Sequence, residues 1–408
     1  MTRLPQSCHL IAEIIENWGG RSYLVGGLVR DWLYRSLENV PADSIGNAQD
    51  FDIAVDLRAT NRTLLQLLKQ LHRRIGATYV YYHRFLTATL HLPEERIDLA
   101  HTRDEIYPFP AVLPEVKPAG IERDLKRRDF TINALAIELT KHGMGKVIDP
   151  YGGQQDLRQR LVRVIHPESF VDDPTRIFRC LRFGIRFGFE IESGTLYLLR
   201  RAVKDGYLAL LTPERVLYEL RCISKEESAL KMLEALFREG VFAGCWRWFP
   251  PRGFFTELTR LTQAGIRDEL LYLYLLSRLP IDNRFPLTKE ERQAQAAIRS
   301  FTAIETRLRR ARKRSTMYRL LKPVPVPALK VLRVLKGGAT RRKLDLFLNE
   351  LIAVKPDLKP LDLLALGVKP DPQLGKIIER LLCARLDRRV RNRDEELALT
   401  RRWLTRNV

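Results

Sequence analysis

Two carboxylates spaced two residues apart, Asp50 and Asp52 in Asp50-Phe51-Asp52, open an alternating run that continues to Val55. In a strand, residues i and i+2 point to one face. Like charges held that way repel unless a cation lies between them. Ile53, Ala54 and Val55 read as a buried strand, where unpaired charge is costly, so the pair suits a hard divalent ion such as Mg2+. A solvated strand edge is the plain alternative. Asp98, in Arg96-Ile97-Asp98-Leu99-Ala100, is either a third carboxylate from an adjacent strand or an ordinary strand-end acid. Upstream, Tyr23-Leu24-Val25-Gly26-Gly27-Leu28 reads as strand, glycine pair and helix start. Glycines there let backbone N–H groups approach an anion, and a helix N-terminus adds favourable partial charge; the same pattern also makes a simple turn.

Periodicity supplies the elements that would carry these residues. Helical spacing runs over 10–18, 28–33 and 61–71, and β-rich runs cover 22–25, 50–55, 77–82, 86–92 and 96–100. A small sheet flanked by helices makes the front an α+β or α/β domain. After Asp156 the strand signal disappears. Segments 173–187, 193–203, 214–223, 229–237 and 270–276 read as helices, and the remainder as helices broken by Pro-rich joints such as 322–327. The fold class is therefore α+β, a small mixed-sheet head followed by an all-α neck, body and tail, with expected domains at 1–150, 151–240 and 241–408.

Composition narrows the partners. The 408 residues are 45% hydrophobic and 29% charged, which excludes disorder, collagen and a small disulfide scaffold. The five cysteines are never closer than 23 residues, so they make no Cys-rich metal motif and fit a reducing cytosol. No signal-peptide pattern opens the N-terminus and no apolar run approaches the ~20 residues that cross a bilayer, so a soluble, cytoplasmic protein without membrane contact is expected. The net charge of +21 is uneven: residues 301–408 hold 27 Lys and Arg against 11 Asp and Glu. A basic back half implies a polyanion, most simply nucleic acid, or else a well-solvated helical surface.

Ordered motifs then show a resemblance. Gly26-Gly27-Leu28-Val29-Arg30-Asp31 followed by Asp50-Phe51-Asp52 resembles the head of the class II nucleotidyltransferases, the family of tRNA CCA-adding enzymes and bacterial poly(A) polymerases. Arg127-Arg128-Asp129-Phe130-Thr131-Ile132-Asn133-Ala134 resembles its second motif, and 149–156 its head–neck hinge. Asp172-Asp173-Pro174-Thr175-Arg176, with Arg179, Arg182 and Phe183 following, resembles its nucleotide-selecting helix. The resemblance implies two Mg2+ ions on Asp50 and Asp52, attack of an RNA 3′-OH on an NTP α-phosphate, and release of pyrophosphate. Gly26, Gly27 and Arg30 would lie against the triphosphate, and Arg128, Asp129 and Asn133 would position ribose and phosphates. Arg127 is either a triphosphate ligand or part of a structural ion pair. Asp173 accepts only and Arg176 donates only, so together they complement the edge that cytosine and adenine share; an N-cap before Pro174 is the neutral reading. The irregular stretch 102–121 is expected to be a mobile loop near the site, which in the family accompanies addition of the final A.

The dense basic run 307–314, with Arg309, Arg310, Arg312, Lys313 and Arg314, is either a phosphate-binding surface or a solvated helix face. Near the end, 361–375 resembles the tail of bacterial CCA-adding enzymes, and a helix opening at Gly375 could bind tRNA phosphate. Residues 36–49 form a longer connection than the family usually carries, and Asp172 stands where Glu is commoner. No His follows His166, which excludes a His-Asp phosphohydrolase domain in this chain. The leading expectation is CCA addition or repair at the tRNA 3′ end and acceptor stem from CTP and ATP, with no protein partner evident. An A-adding enzyme, a poly(A) polymerase and a catalytically inactive RNA-binding protein are the alternatives.

Overall fold

A computed structural model of the chain describes residues 4–38 and 50–406. The backbone clusters into two compact units, Met1–Glu219 with Lys231–Phe249, and Leu220–Leu230 with Pro250–Val408. Most of the connection singled out at 36–49 lies outside the described residues; Ser36 and Leu37 end a helix.

In the first unit α1 (Gln6–Asn17) leads into β1 (Arg21–Val25), and α2 (Gly27–Leu37) follows. Then come β2 (Asp50–Asp56), α3 (Leu64–Ile75), β3 (Thr78–Tyr82), β4 (Thr87–His91) and β5 (Arg96–His101). With β8 (Ala136–Thr140) and β9 (Gly143–Ile148), these strands form one sheet in the order β3-β4-β5-β2-β1-β8-β9. Only β2 and β5 run parallel in it among the described residues, with Asp52 beside Asp98. The pleat places Asp50, Asp52 and Ala54 on one face, where Ala54 joins Tyr23, Val25, Leu125, Ala134 and Ala136 in a core. Phe51, Ile53 and Val55 are buried on the opposite face, which α1 and α3 cover.

The helices follow local signals. Leu64, Leu67, Leu68 and Leu71 make an apolar stripe on α3, Thr63 and Gln66 form a capping box, and Gly76 ends the helix at φ +66°. The stretch expected to be an irregular loop is instead a hairpin. β6 (Arg103–Ile106) pairs antiparallel with β7 (Glu115–Pro118), with 107–114 as its turn. Next come α4 (Ile121–Lys126), a 3₁₀ turn at Thr131–Asn133, α5 (Gly153–Gln159), α6 (Ser169–Asp172) and α7 (Thr175–Phe187). Strand structure does recur after Asp156: Leu161–Val162 pairs with Glu190–Ile191, two residues each, too short to leave a periodic signal.

The second unit is helical, as expected. Its helix Asp268–Arg278 is buried without a break from Leu271 to Ser277, and its neighbours Lys289–Ser300 and Val326–Leu335 pack on it. The Pro-rich joint at 322–327 ends one helix and starts the next, with Pro327 in its first turn. Among the described residues no helix is long and apolar enough to cross a membrane.

Candidate active site

β1 delivers the chain to Gly26, whose φ of +80° and ψ of −148° only glycine adopts freely. A Cβ there would lie 2.8 Å from Asp52 Oδ2 and 3.7 Å from Arg128 Nη1. The glycine thus lies directly against one of the paired carboxylates. Asp50 and Asp52 share the open face of β2. Asp52 as a residue is open to solvent, but its carboxyl is partly sequestered in this dent. Burial there, with the charges of Asp98 and Asp50, holds that carboxyl above the ordinary range despite Arg128 and Arg96. Crowded, partly desolvated carboxylate oxygens fit a hard divalent ion. Asp98 is drawn aside: Thr89 Oγ1 donates to its Oδ1 at 2.6 Å and Arg96 Nη2 to its Oδ2 at 3.1 Å. Among the described residues no cluster of three or more ligating side chains forms, and Asp98 stands beside Asp52 in the parallel pairing of β2 and β5.

The second motif folds as a tight turn behind this pair and carries a buried chain of hydrogen bonds. Arg30 Nη1 donates to Asn133 Oδ1 at 2.7 Å, Asn133 Nδ2 to Asp129 Oδ1 at 2.9 Å, and Arg179 Nε to Asp129 Oδ2 at 2.8 Å. Burial raises the Asp129 carboxyl, but Arg179 and the Asn133 hydrogen bond outweigh it and hold it at about 2. Burial also pulls Arg30 below its usual range, against the charge of Asp31, and its guanidinium lies 4.5 Å from the centroid of the Phe187 ring. Arg127 is held by Asp124 Oδ1 at 2.9 Å and Glu105 Oε1 at 3.0 Å, which is the ion-pair arrangement rather than an open phosphate ligand. Arg128 reaches Asp124 Oδ2 at 3.3 Å, yet its buried Nε has no hydrogen-bond partner among the described residues. The hinge motif supports this turn. Asp149 caps α5 through the N–H groups of Gly153 and Gln154, and Asp156 accepts from Thr131 Oγ1 at 2.6 Å.

Asp173 and Arg176 flank the start of α7, and each is engaged with groups of the protein itself. The helix begins at Thr175, so Asp173 precedes it; its carboxylate accepts from Thr175 N at 2.9 Å and from Arg215. Arg176 turns inward, donating to Ser169 Oγ at 2.7 Å and to the Arg127 carbonyl at 2.6 Å. Arg182 pairs with Glu219 at 3.3 Å, beneath Phe183. Sequence reasoning missed Asp124, Glu105, Arg215 and Glu219. Only Asp124 left a local signal, three and four residues before Arg127 and Arg128 on one helical face.

In the second unit the basic run is bent rather than one helix. Lys343 Nζ donates to the carbonyls of Leu308, Arg309 and Ala311 at 2.7–2.8 Å, closing the helix Thr302–Arg310 before another starts at Arg314. Arg309, Arg310, Arg312 and Lys313 are exposed and make no ion pair among the described residues, whereas Arg314 is bound to Glu350. Gly375 does not open a helix. The helix is Pro372–Leu386, Asp371 caps it by accepting from Gln373 N at 2.7 Å, and Gly375 lies within its first turn. The Asp371 carboxylate thus caps that N-terminus.

The mixed sheet, the glycine against paired aspartates and the arginine-rich turn behind them define a nucleotidyltransferase head. Residues 22–163 match the Poly A polymerase head domain. The A-adding tRNA nucleotidyltransferase of Halalkalibacterium halodurans is 30% identical over 93% of this chain and 88% of its own. That of Aquifex aeolicus is 32% identical over 88% of this chain but 44% of its own, so the chain spans less than half of that relative. A solved CCA-adding enzyme, apo form II, is 28% identical with a TM-score of 0.72, covering 97% of this chain and 95% of that one. The Thermotoga maritima CCA-adding enzyme complexed with tRNA_CCA is 26% identical with a TM-score of 0.68, covering 99% and 97%. The chain belongs to the tRNA nucleotidyltransferase and poly(A) polymerase family.

Proposed function

We propose that this chain extends the 3′ end of tRNA, adding the nucleotides of CCA from CTP and ATP and releasing pyrophosphate. The observation that carries this reading is Gly26 lying against the Asp52 carboxylate, which leaves room for a triphosphate along the glycine backbone beside a paired-carboxylate site. Asp50 and Asp52 would hold Mg2+, two ions in the fullest form, which when bound polarises the α-phosphate and lowers the pKa of the attacking hydroxyl. Gly26 and Gly27 present close backbone to the phosphates, and the Arg128 guanidinium offers them positive charge and a buried donor. Arg30, Asn133, Asp129 and Arg179 act as positioning residues, tying α2 to α7 behind the bound nucleotide. Selection of C and A falls to Asp173 and Arg176, each exchanging an internal partner for the base edge. The exposed cations Arg309, Arg310, Arg312 and Lys313 take tRNA phosphates without reading sequence.

A second reading, addition of the terminal A alone, is favoured by the A-adding names of relatives that match 88–93% of this chain. Incubating tRNA lacking CCA, and tRNA ending in CC, with CTP, ATP or both separates the two. CC from CTP alone and CCA from both supports the first. Extension of only the CC-ended tRNA supports the second, and absence of any metal-dependent extension removes both.

A further inference from the structure

Between Asp56 and Glu94 the sequence contains no acidic residue, while Arg58, Arg62, Lys69, Arg73, Arg74 and Arg84 fall within it. This concentration is distinctive in a front part whose charge is otherwise nearly balanced. Folding gathers it. Residues 66, 69, 70, 73 and 74 follow one face of α3, and with Arg62 and Trp18 they line an open groove of about 480 Å³. Arg62, Lys69, Arg73 and Arg74 are exposed and make no ion pair among the described residues. The Arg62 guanidinium lies 5.6 Å from the centroid of the half-buried Trp18 ring, and Gln66 and Gln70 add amide donors and acceptors.

Positive charge at the end of α3 complements its dipole, which accounts for Arg73 and Arg74 but not for Arg62, Lys69 or an indole beside them. Four cations, an aromatic platform and two amides in one groove match a single-stranded nucleic acid, in which phosphates alternate with stackable, hydrogen-bonding bases. The groove lies on the α1–α3 layer, behind the sheet face that carries Asp50 and Asp52, so it is separate from the candidate active site. We propose that this groove is a second RNA contact of the head, holding a single-stranded segment through its backbone without sequence preference. The inference does not require nucleotidyl transfer.

The test uses the full chain and a fluorescein-labelled oligouridylate of about 12 nucleotides, followed by anisotropy across a salt series. Combining Arg62→Gln, Lys69→Gln, Arg73→Gln and Arg74→Gln is expected to weaken binding at least tenfold and to flatten the log–log salt slope by about three. The substituted side chains are exposed, and an unchanged circular dichroism spectrum verifies the fold. Oligonucleotide carrying 5-iodouridine should crosslink to Trp18, and Asp52→Ala should bind as the parent does. Unchanged affinity and slope in the combined variant, crosslinks confined to 301–408, or binding to phosphatidylglycerol vesicles in place of RNA would each overturn the proposal.

Discussion

Replacing Gly26 with alanine should damage catalysis far more than folding, for reasons that can be worked through atom by atom. The new Cβ would stand 2.8 Å from Asp52 Oδ2 and 3.6 Å from its carboxyl carbon, about 0.6 Å short of ordinary van der Waals contact. The backbone there, at φ +80°, adds strain of about 1–3 kcal/mol for any residue with a side chain. Relief comes by pushing the carboxylate off its position, and a displacement near 1 Å at a reacting centre costs about 10²-fold in rate. Gly76→Ala is the matched control. It also sits at positive φ, +66°, but an added Cβ meets nothing within 4 Å, so it should lose about 1–2 kcal/mol and no activity. Urea denaturation gives the stability of each variant, and single-turnover extension of tRNA gives the rate. Turnover of Gly26→Ala within threefold of the parent, or an equal loss in Gly76→Ala, would refute the assignment of Gly26 to the site.

Asp52→Ala should lower turnover by about 10²–10³-fold with tRNA affinity largely retained, as measured by filter binding, and chelation of divalent ions should abolish turnover without changing helical content. The Asp129 carboxyl, at about 2 in the fold against about 3.9 unfolded, contributes about 2–3 kcal/mol. That contribution is complete above about pH 4 and is lost as pH falls toward 2. Urea midpoints between those limits should show Asp129→Asn without this acid slope. Arg179→Ala leaves Asp129 without its main partner and should destabilise by about 3 kcal/mol, with partial recovery in Arg179→Lys.

Where local pattern and tertiary requirement coincide, the sequence was readable. β2 alternates because one of its faces is core and the other holds charge, and the apolar stripe of α3 matches its buried side. The hairpin β6–β7 was not readable. Arg103-Asp104-Glu105-Ile106 has no apolar alternation, and its pairing with 115–118 is fixed by a distant partner rather than by its own residues. Pro108, Pro110 and Pro114 in the turn also favoured a loop reading. At the tail, Asp371 before Pro372 was the stronger helix-start signal than Gly375, since proline suits the first turn and aspartate the cap. The spacing of Asp173 and Arg176 put them on one face, but the helix starts only at Thr175, and spacing says nothing about the carbonyl of Arg127 that claims Arg176. Buried partners contributed from elsewhere in the chain, such as Glu105 and Glu219, leave no periodic mark.

The bonded series from Arg30 through Asn133 and Asp129 to Arg179 also constrains how this region can breathe. Pulling α7 away would expose a carboxylate and two guanidiniums that satisfy one another only while all are in place. Fluctuations that stop halfway are therefore disfavoured, and amide protons across 175–187 and 129–133 should exchange with deuterium together, in one cooperative opening.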